Sequence, residues 1–355
     1  MGDIKYYPIK FKPIYKEMIW GGTRLATMFG RQLPSDKVGE TWDISCRPGE
    51  MGIIENGPHA GLTFEDYIAQ DKTGVLGIHL STCERFPLLV KIIDANDALS
   101  IQVHPGDDYA QQQDLTDTGK NEMWYILNPP DDGYLIIGLK PGVTREKLAD
   151  AYNNGTVEDC LDRLYVKTGD IVNIPSGLVH ALTPGVIVAE VQQNSDVTYR
   201  LYDYNRIGLD GKPRTLHVED ALAVSDFEEK IPKSVVNVTG KISVGINSLP
   251  TEISAHNKCE CKNGENKLVN AITNSYFAIT KYALFNSITE ESDPAVFYIF
   301  TCVEGCVTIT ANAIDVEVNT GQSVFIPAKT GVYTITPMKD NPAVLLRSSV
   351  PNLLG

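Results

Sequence analysis

One β unit is written twice in this chain, and only one copy carries side chains that can hold a metal. Gly321-Gln322-Ser323-Val324-Phe325-Ile326-Pro327-Ala328 aligns with Gly169-Asp170-Ile171-Val172-Asn173-Ile174-Pro175-Ser176. Each reads as a turn, a strand and a proline that stops it. Upstream of each an aromatic-rich strand recurs, Glu122-Met123-Trp124-Tyr125-Ile126-Leu127 against Ala295-Val296-Phe297-Tyr298-Ile299-Phe300. A duplicated strand pattern points to two similar β bodies in tandem. In this alignment Glu122 falls opposite Ala295, and His180, eleven positions after Gly169, falls opposite Val332. A residue kept for the fold is expected in both copies, so Glu122 and His180 read as chemistry.

The 355 residues are enough for two domains with proper cores. A formal net charge of -14 repels nucleic acid and anionic membranes, so neither is the expected partner, and any anionic ligand needs local cations. Residues 1–20 mix Lys, Glu and Pro with aromatics and have no apolar core of a secretory signal. No apolar run approaches the length of a membrane span, and neither end carries a lipidation motif. The seven cysteines, at 46, 83, 160, 259, 261, 302 and 306, are odd in number and scattered, which suits the reducing cytoplasm. Cys259-Glu260-Cys261 has no second pair nearby and reads as free thiols in a loop rather than a metal pair. Cys302 and Cys306 flank Glu304-Gly305, a hairpin signal that would make them neighbours across two strands.

Most of the sequence runs in short β-branched or aromatic stretches broken by Gly, Pro, Asn and Asp, the pattern of sandwiches and barrels. Helices read as interruptions. Thr63 with Asp66, and Thr156 with Asp159, have the spacing of N-terminal capping boxes, a helix starts near Thr144 and stops at Asn153-Asn154-Gly155, and another starts near His217. The expected architecture is mainly β: a chemically active domain over 1–227 with a small helical insert at about 143–165, a charged linker over 228–233, and a second β domain over 228–355. Residues 257–267 read as a surface loop.

Within Leu99-Ser100-Ile101-Gln102-Val103-His104-Pro105, Gln102 and His104 are two apart and share a strand face, while Ile101 and Val103 take the other. Two polar side chains on one face of an apolar strand need a partner. With Glu122 and His180 they supply two imidazoles, a carboxylate and an amide oxygen, an open divalent-metal site. The competing reading is a hydrogen-bonded core histidine with Gln102 facing solvent. Loss of Glu122 and His180 from the second copy favours the metal.

These residues resemble the type I phosphomannose isomerases, zinc enzymes of the cupin superfamily. The resemblance rests on Leu99 to Pro105, Lys120-Asn121-Glu122, Ile174-Pro175-Ser176-Gly177-Leu178-Val179-His180-Ala181, Trp20-Gly21-Gly22, Gly39-Glu40-Thr41-Trp42 and Asp196-Val197-Thr198-Tyr199-Arg200. It spans most of residues 10–210. It implies a tandem cupin of two jelly-roll barrels, the second without a site, one zinc on Gln102, His104, Glu122 and His180, and a small sugar phosphate as substrate. The short segment between Glu122 and His180 matches the compact bacterial form.

The implied reaction interconverts mannose 6-phosphate and fructose 6-phosphate by moving a proton between C2 and C1 through a cis-enediol, with a metal stabilising the developing negative charge. Arg200 matches the family's active-site arginine, and Arg206 stands where the family commonly has a lysine. Ser100 shares Gln102's face and matches a serine on the phosphate side. Both arginines also suit ordinary pairing with Asp203 or Glu190. Lys120 lies two before Glu122 and would share its face, where a bound cation disfavours the ammonium. Glu190 is polar amid apolar neighbours, suiting either a base or a cross-strand ion pair. The base is open between Lys120 and Glu190, Arg200 being electrostatic because it keeps its proton. Glu40 suits a sugar contact or a strand end beside Trp42. The chemistry-level alternatives are an iron-dependent oxygenase using the two histidines and the carboxylate, and a non-catalytic sugar-phosphate sensor. Gln102 in a position oxygen would need, and the basic cluster, favour the isomerase. The oligomeric state leaves no signal in the sequence.

Overall fold

The computed structural model describes residues 5–228, 235–237, 264–338 and 342–351. Cys259, Cys261 and the expected linker beyond Glu228 to Lys233 lie outside those residues, as does most of the loop expected over 257–267.

Two compact units alternate along the sequence, one of Tyr15–Glu40 and Ile93–Asn257, the other of Met1–Ile14, Thr41–Ile92 and Lys258–Gly355. The division is therefore not a single cut at 227/228. The reason lies in the second unit's packing: Phe64 and Phe86 pack against Phe297 and Phe325 with ring centroids 5.0 to 6.1 Å apart. Main-chain bonds run from Ile78 N to Pro294 O at 3.1 Å and from Ala328 N to Val75 O at 3.0 Å.

In the first unit a five-stranded antiparallel sheet runs in the order Leu161–Tyr165, Tyr134–Leu139, His180–Leu182, Ile101–Val103, Tyr199–Tyr202. A larger sheet contributes Val235–Asn237, Asp170–Ile174, Glu122–Asn128 and Ile187–Gln193, in that order. The two-residue period of a strand decides what each side chain meets. Trp124, Ile126, Val172, Ile174 and Val188 of the larger sheet pack with Leu135, Ile137 and Leu182 of the smaller one in a single buried core. Ile101, Val103, Ala181, Tyr199 and Leu201 point the other way, onto Leu148, Ala221 and Leu222 of the helices Arg145–Asn153 and Val218–Val224. Each fully buried Leu or Ile contributes about 1.5–3 kcal/mol. The alternate positions Gln102, Glu122, His180 and Glu190 are thereby left facing the interior between the sheets.

The helical insert is shorter than expected. Thr144 caps Arg145–Asn153 by accepting from Lys147 N at 3.3 Å, but Thr156 makes no side-chain cap and is followed only by a 3-10 turn, Val157–Cys160. Leu161–Tyr165 is an edge strand paired with Tyr134–Leu139. The Thr63 cap forms as read, accepting from Asp66 N at 3.0 Å.

The second unit holds its own two-sheet barrel. One sheet runs Lys267–Thr273, Ala278–Leu284, Ala343–Ser349, Tyr298–Glu304, Gln322–Ile326, and the other Ile288–Glu291, Val332–Pro337, Cys306–Ala311, Ile314–Asn319. Tyr282, Phe300, Val307, Ile309, Val324, Ile335 and Leu345 fill its core. Gly305, at φ +75, turns the chain from the first sheet into the second, so Cys302 and Cys306 lie in different sheets rather than across a hairpin.

Pairing register also corrects the repeat alignment. Glu122 stands opposite Ile174, and the residue opposite Ile326 is Tyr298, with Ala295 lying ahead of the strand. The aromatic runs match as hydrophobic strings but are offset by three residues in hydrogen-bonded register. Val332 begins its strand as His180 does, yet its side chain is exposed.

Candidate active site

His104, Glu122 and His180 bring one ligand atom each to within 4.8 Å of one another, all three side chains being buried. His180 Nε2 lies 3.4 Å from Glu122 Oε1 and His104 Nε2 lies 3.5 Å from Glu122 Oε2. The rings of the two histidines are 4.8 Å apart. Gln102 adjoins them through strand register: it pairs with His180 on one side and Arg200 on the other, and its Nε2 lies 3.3 Å from His180 Nε2. A half-turn of that amide presents Oε1 to the same place.

The main chain fixes these positions. Gly177, in the left-handed region at φ +86, closes the turn after Pro175 and donates its N–H to His104 O at 2.9 Å. Lys120 N donates to Pro105 O at 3.0 Å. His180 Nδ1 lies 2.8 Å from Leu178 O, so it donates there and the lone pair is left on Nε2, facing Glu122. Asn121, between Lys120 and Glu122, ties two segments together: Oδ1 accepts from Ser176 N at 3.0 Å, and Nδ2 donates to Gln193 Oε1 at 2.8 Å.

Burial pushes the His104 imidazole down to about 3, with the Lys120 charge adding to it and Glu122 opposing. His180 is lowered by burial against the pull of Glu122. For Glu122 burial favours the neutral acid, but the Lys120 charge, the largest influence against it, holds the carboxyl well below the ordinary range. At neutral pH the cluster is two neutral imidazoles and one carboxylate, the protonation state a divalent cation requires. Both oxygens of Glu122 are buried without a well-aligned hydrogen bond, although nitrogens surround them at 3.1 to 3.5 Å. That arrangement of donors aimed at a shared point fits a metal.

Lys120 is buried, its Nζ 3.1 Å from Glu122 Oε2 and 3.2 Å from His104 Nε2. Ser100 Oγ donates to Gln102 Oε1 at 3.3 Å, placing it beside the cluster. Arg200 shares Gln102's face through their pairing, and its Nη1 donates to Thr215 O at 2.7 Å. Glu190 is not part of the ligand group: Oε2 accepts from Trp124 Nε1 at 2.7 Å, and the Trp124 ring meets His180 edge-on at 5.4 Å. Arg206 pairs with Asp203, Nη2 to Oδ1 at 2.6 Å, and donates to Ala98 O, two residues before Ser100. Glu40 is buried in the Val38–Ile44 strand.

Sequence reasoning passed over Arg214, which closes on Asp203 from eleven residues further along, Nε to Oδ2 at 2.7 Å. It also passed over Trp124 and Asn121 as supports. The one available signal was the density of arginine in 200–214 beside Asp203, which is flanked by Tyr202 and Tyr204.

A family model of the type I phosphomannose isomerase catalytic domain matches residues 9–126, and a model of the mannose-6-phosphate isomerase cupin domain matches 267–338. The probable mannose-6-phosphate isomerase GmuF of Bacillus subtilis (strain 168) is 35% identical over 329 residues, 93% of this chain and 96% of that protein. The crystal structure of the mannose 6-phosphate isomerase from Bacillus subtilis superposes with a TM-score of 0.79 at 30% identity, covering 96% of this chain and 99% of the other. A mannose 6-phosphate isomerase bound with zinc and yttrium shares the fold, with a TM-score of 0.66 at 17% identity over 96% of this chain and 98% of the other.

Proposed function

The chain belongs to the type I phosphomannose isomerases and interconverts mannose 6-phosphate and fructose 6-phosphate, and we propose that it does so around one zinc ion held by Gln102, His104, Glu122 and His180. The observation that carries the site is the buried convergence of two neutral imidazoles and a carboxylate beside an amide and a lysine. Bound zinc would supply Lewis-acid polarisation of the substrate's oxygens, which lowers the cost of the enediolate.

The chain's own residues handle the phosphate and the proton. Arg200, on the face of Gln102, supplies a fixed charge, with Arg206 and Ser100 completing the phosphate side. Burial lowers the affinity of Arg200 for its proton, with Arg214 adding to this, Asp203 opposing and Arg206 adding again, but a guanidinium stays charged throughout. Lys120 Nζ is the group beside the triad that can carry a proton between C1 and C2. Glu190, bonded to the Trp124 indole, is better placed to hold Trp124 against His180 than to reach a substrate carbon. Glu40 is assigned to the sugar side. None of the five described cysteines is held in a disulfide, which fits the reducing cytoplasm we propose as its compartment. Among the described residues no helix is long and apolar enough to cross a membrane.

Proton transfer through an enediol has an isotopic signature. Mannose 6-phosphate turned over in D2O should give fructose 6-phosphate with deuterium at C1, read by proton NMR. Product that forms while retaining the original hydrogen quantitatively, whatever the turnover number, would argue for direct hydride migration and against a proton carrier.

A further inference from the structure

In the loop after the Tyr199–Tyr202 strand, two guanidiniums close on one buried carboxylate and a third lies beside them. Arg206 donates through Nη2 to Asp203 Oδ1 at 2.6 Å, through Nε to Asp203 O at 3.3 Å and through Nη1 to Ala98 O at 2.5 Å. Arg214 arrives from the far end of the loop, with Nε on Asp203 Oδ2 at 2.7 Å and Nη2 on Oδ1. Arg200 bonds the carbonyl of Thr215, the residue next to Arg214. An antiparallel bridge between Ile207 and Pro213 closes the loop and brings its two ends together.

The charges in this cluster do not balance. Three guanidiniums face one buried carboxylate, and the other acid that forms an ion pair with them among the described residues, Asp97, is 3.8 Å from Arg206 and 60% exposed at the rim. The side chains of Arg206 and Arg214 are only 18% and 21% exposed, so water solvates the surplus poorly. A buried surplus of positive charge is unfavourable by itself and becomes favourable when a dianion completes it. The surplus adjoins Ser100 and Gln102, because Arg206 is anchored at Ala98 and Arg200 pairs with Gln102.

We propose that Arg214 is a third guanidinium of the phosphoryl subsite, with Asp203 holding Arg206 and Arg214 side by side next to Arg200 to receive a phosphate monoester dianion. This deepens the sugar-phosphate isomerase reading and rests on it. Asp203 is a positioning residue, since both of its oxygens are spent on the arginines. Burial works against its charge, but the bonds from Arg214 and Arg206 outweigh that and keep the carboxyl below the usual range.

The test uses the zinc-loaded full chain and Arg214→Met and Arg214→Lys, with inorganic phosphate as the binding probe in calorimetry and mannose 6-phosphate in kinetics. Arg214→Met should weaken inorganic phosphate binding and raise KM by about 10- to 100-fold each, while kcat falls by less than about threefold. Arg214→Lys keeps a point charge for Asp203 but loses the planar fork, so its losses should be intermediate, and it decides the matter if Arg214→Met fails to fold. Phosphate affinity and KM within about twofold of the parent in the Lys variant, or in a folded Met variant, would reduce Arg214 to a buttress of Asp203 and overturn the proposal. A parent chain that binds phosphate but does not isomerise would sink the isomerase reading instead, leaving the calorimetric comparison to judge Arg214.

Discussion

His104 and His180 are neutral at pH 7 because burial disfavours their charged forms, and this has a consequence for the metal-free protein. Their folded values lie below the value of about 6.5 they take in an unfolded chain. Below that pH the unfolded chain binds protons that the folded one refuses, so stability is intact above it and is lost as the pH falls toward the folded values. The loss is about 1.4 kcal/mol per pH unit for each imidazole. Glu122, held low, adds to it further down, as the pH drops through the range where an unfolded carboxylate protonates. Thermal melts of the chelated chain should show Tm falling between about pH 6.5 and 5, above the range in which most carboxylates titrate. A Tm flat or rising on acidification across that window would mean that the imidazoles are not buried neutral. Zinc should suppress the dependence until protons displace it.

Strand register is what places Arg200 opposite Gln102, and it makes a second prediction separable from the first. Arg200→Met keeps most of the apolar stem but removes the planar charge. Metal content and Tm should stay at the parent's values while kcat/KM for mannose 6-phosphate falls by about two to four decades, roughly 3 to 5 kcal/mol of transition-state stabilisation. Zinc retained together with near-normal kcat/KM would put Arg200 outside the substrate site. Register also marks the limit of what could be read from the sequence. The two-residue period put Gln102 and His104 on one face, and Ile101 and Val103 do pack on the other, because side-chain alternation is a local property of the backbone. Pairing between strands is not local. The aromatic string 295–300 aligned with 122–127 by composition, while hydrogen bonding set Tyr298, not Ala295, opposite Ile326. Arg214 escaped for the same reason: its partner Asp203 is made a neighbour by a loop closure at Ile207 and Pro213 that no spacing rule encodes.

The whole chain carries a formal net charge of -14, yet its substrate is a dianion, so recognition depends on a local reversal of sign. On the proposed reading the Arg200, Arg206 and Arg214 cluster would supply it, in the same unit as the His104, Glu122 and His180 group. The grouping of Thr41–Ile92 with the C-terminal barrel was not legible, because Phe64 and Phe86 find Phe297 and Phe325 only in the folded chain. Among the described residues, the second barrel brings no comparable group of histidine, cysteine and carboxylate together, and duplication of the barrel therefore predicts one metal per chain rather than two. The most direct measurement is a coupled assay of mannose 6-phosphate isomerisation before chelation, after exhaustive chelation and after zinc titration, with elemental analysis of each sample. Activity lost on chelation and restored in proportion to zinc, saturating at about one ion per chain, is the predicted result. Full activity in the metal-stripped protein, or a need for about two tightly bound ions, would contradict it.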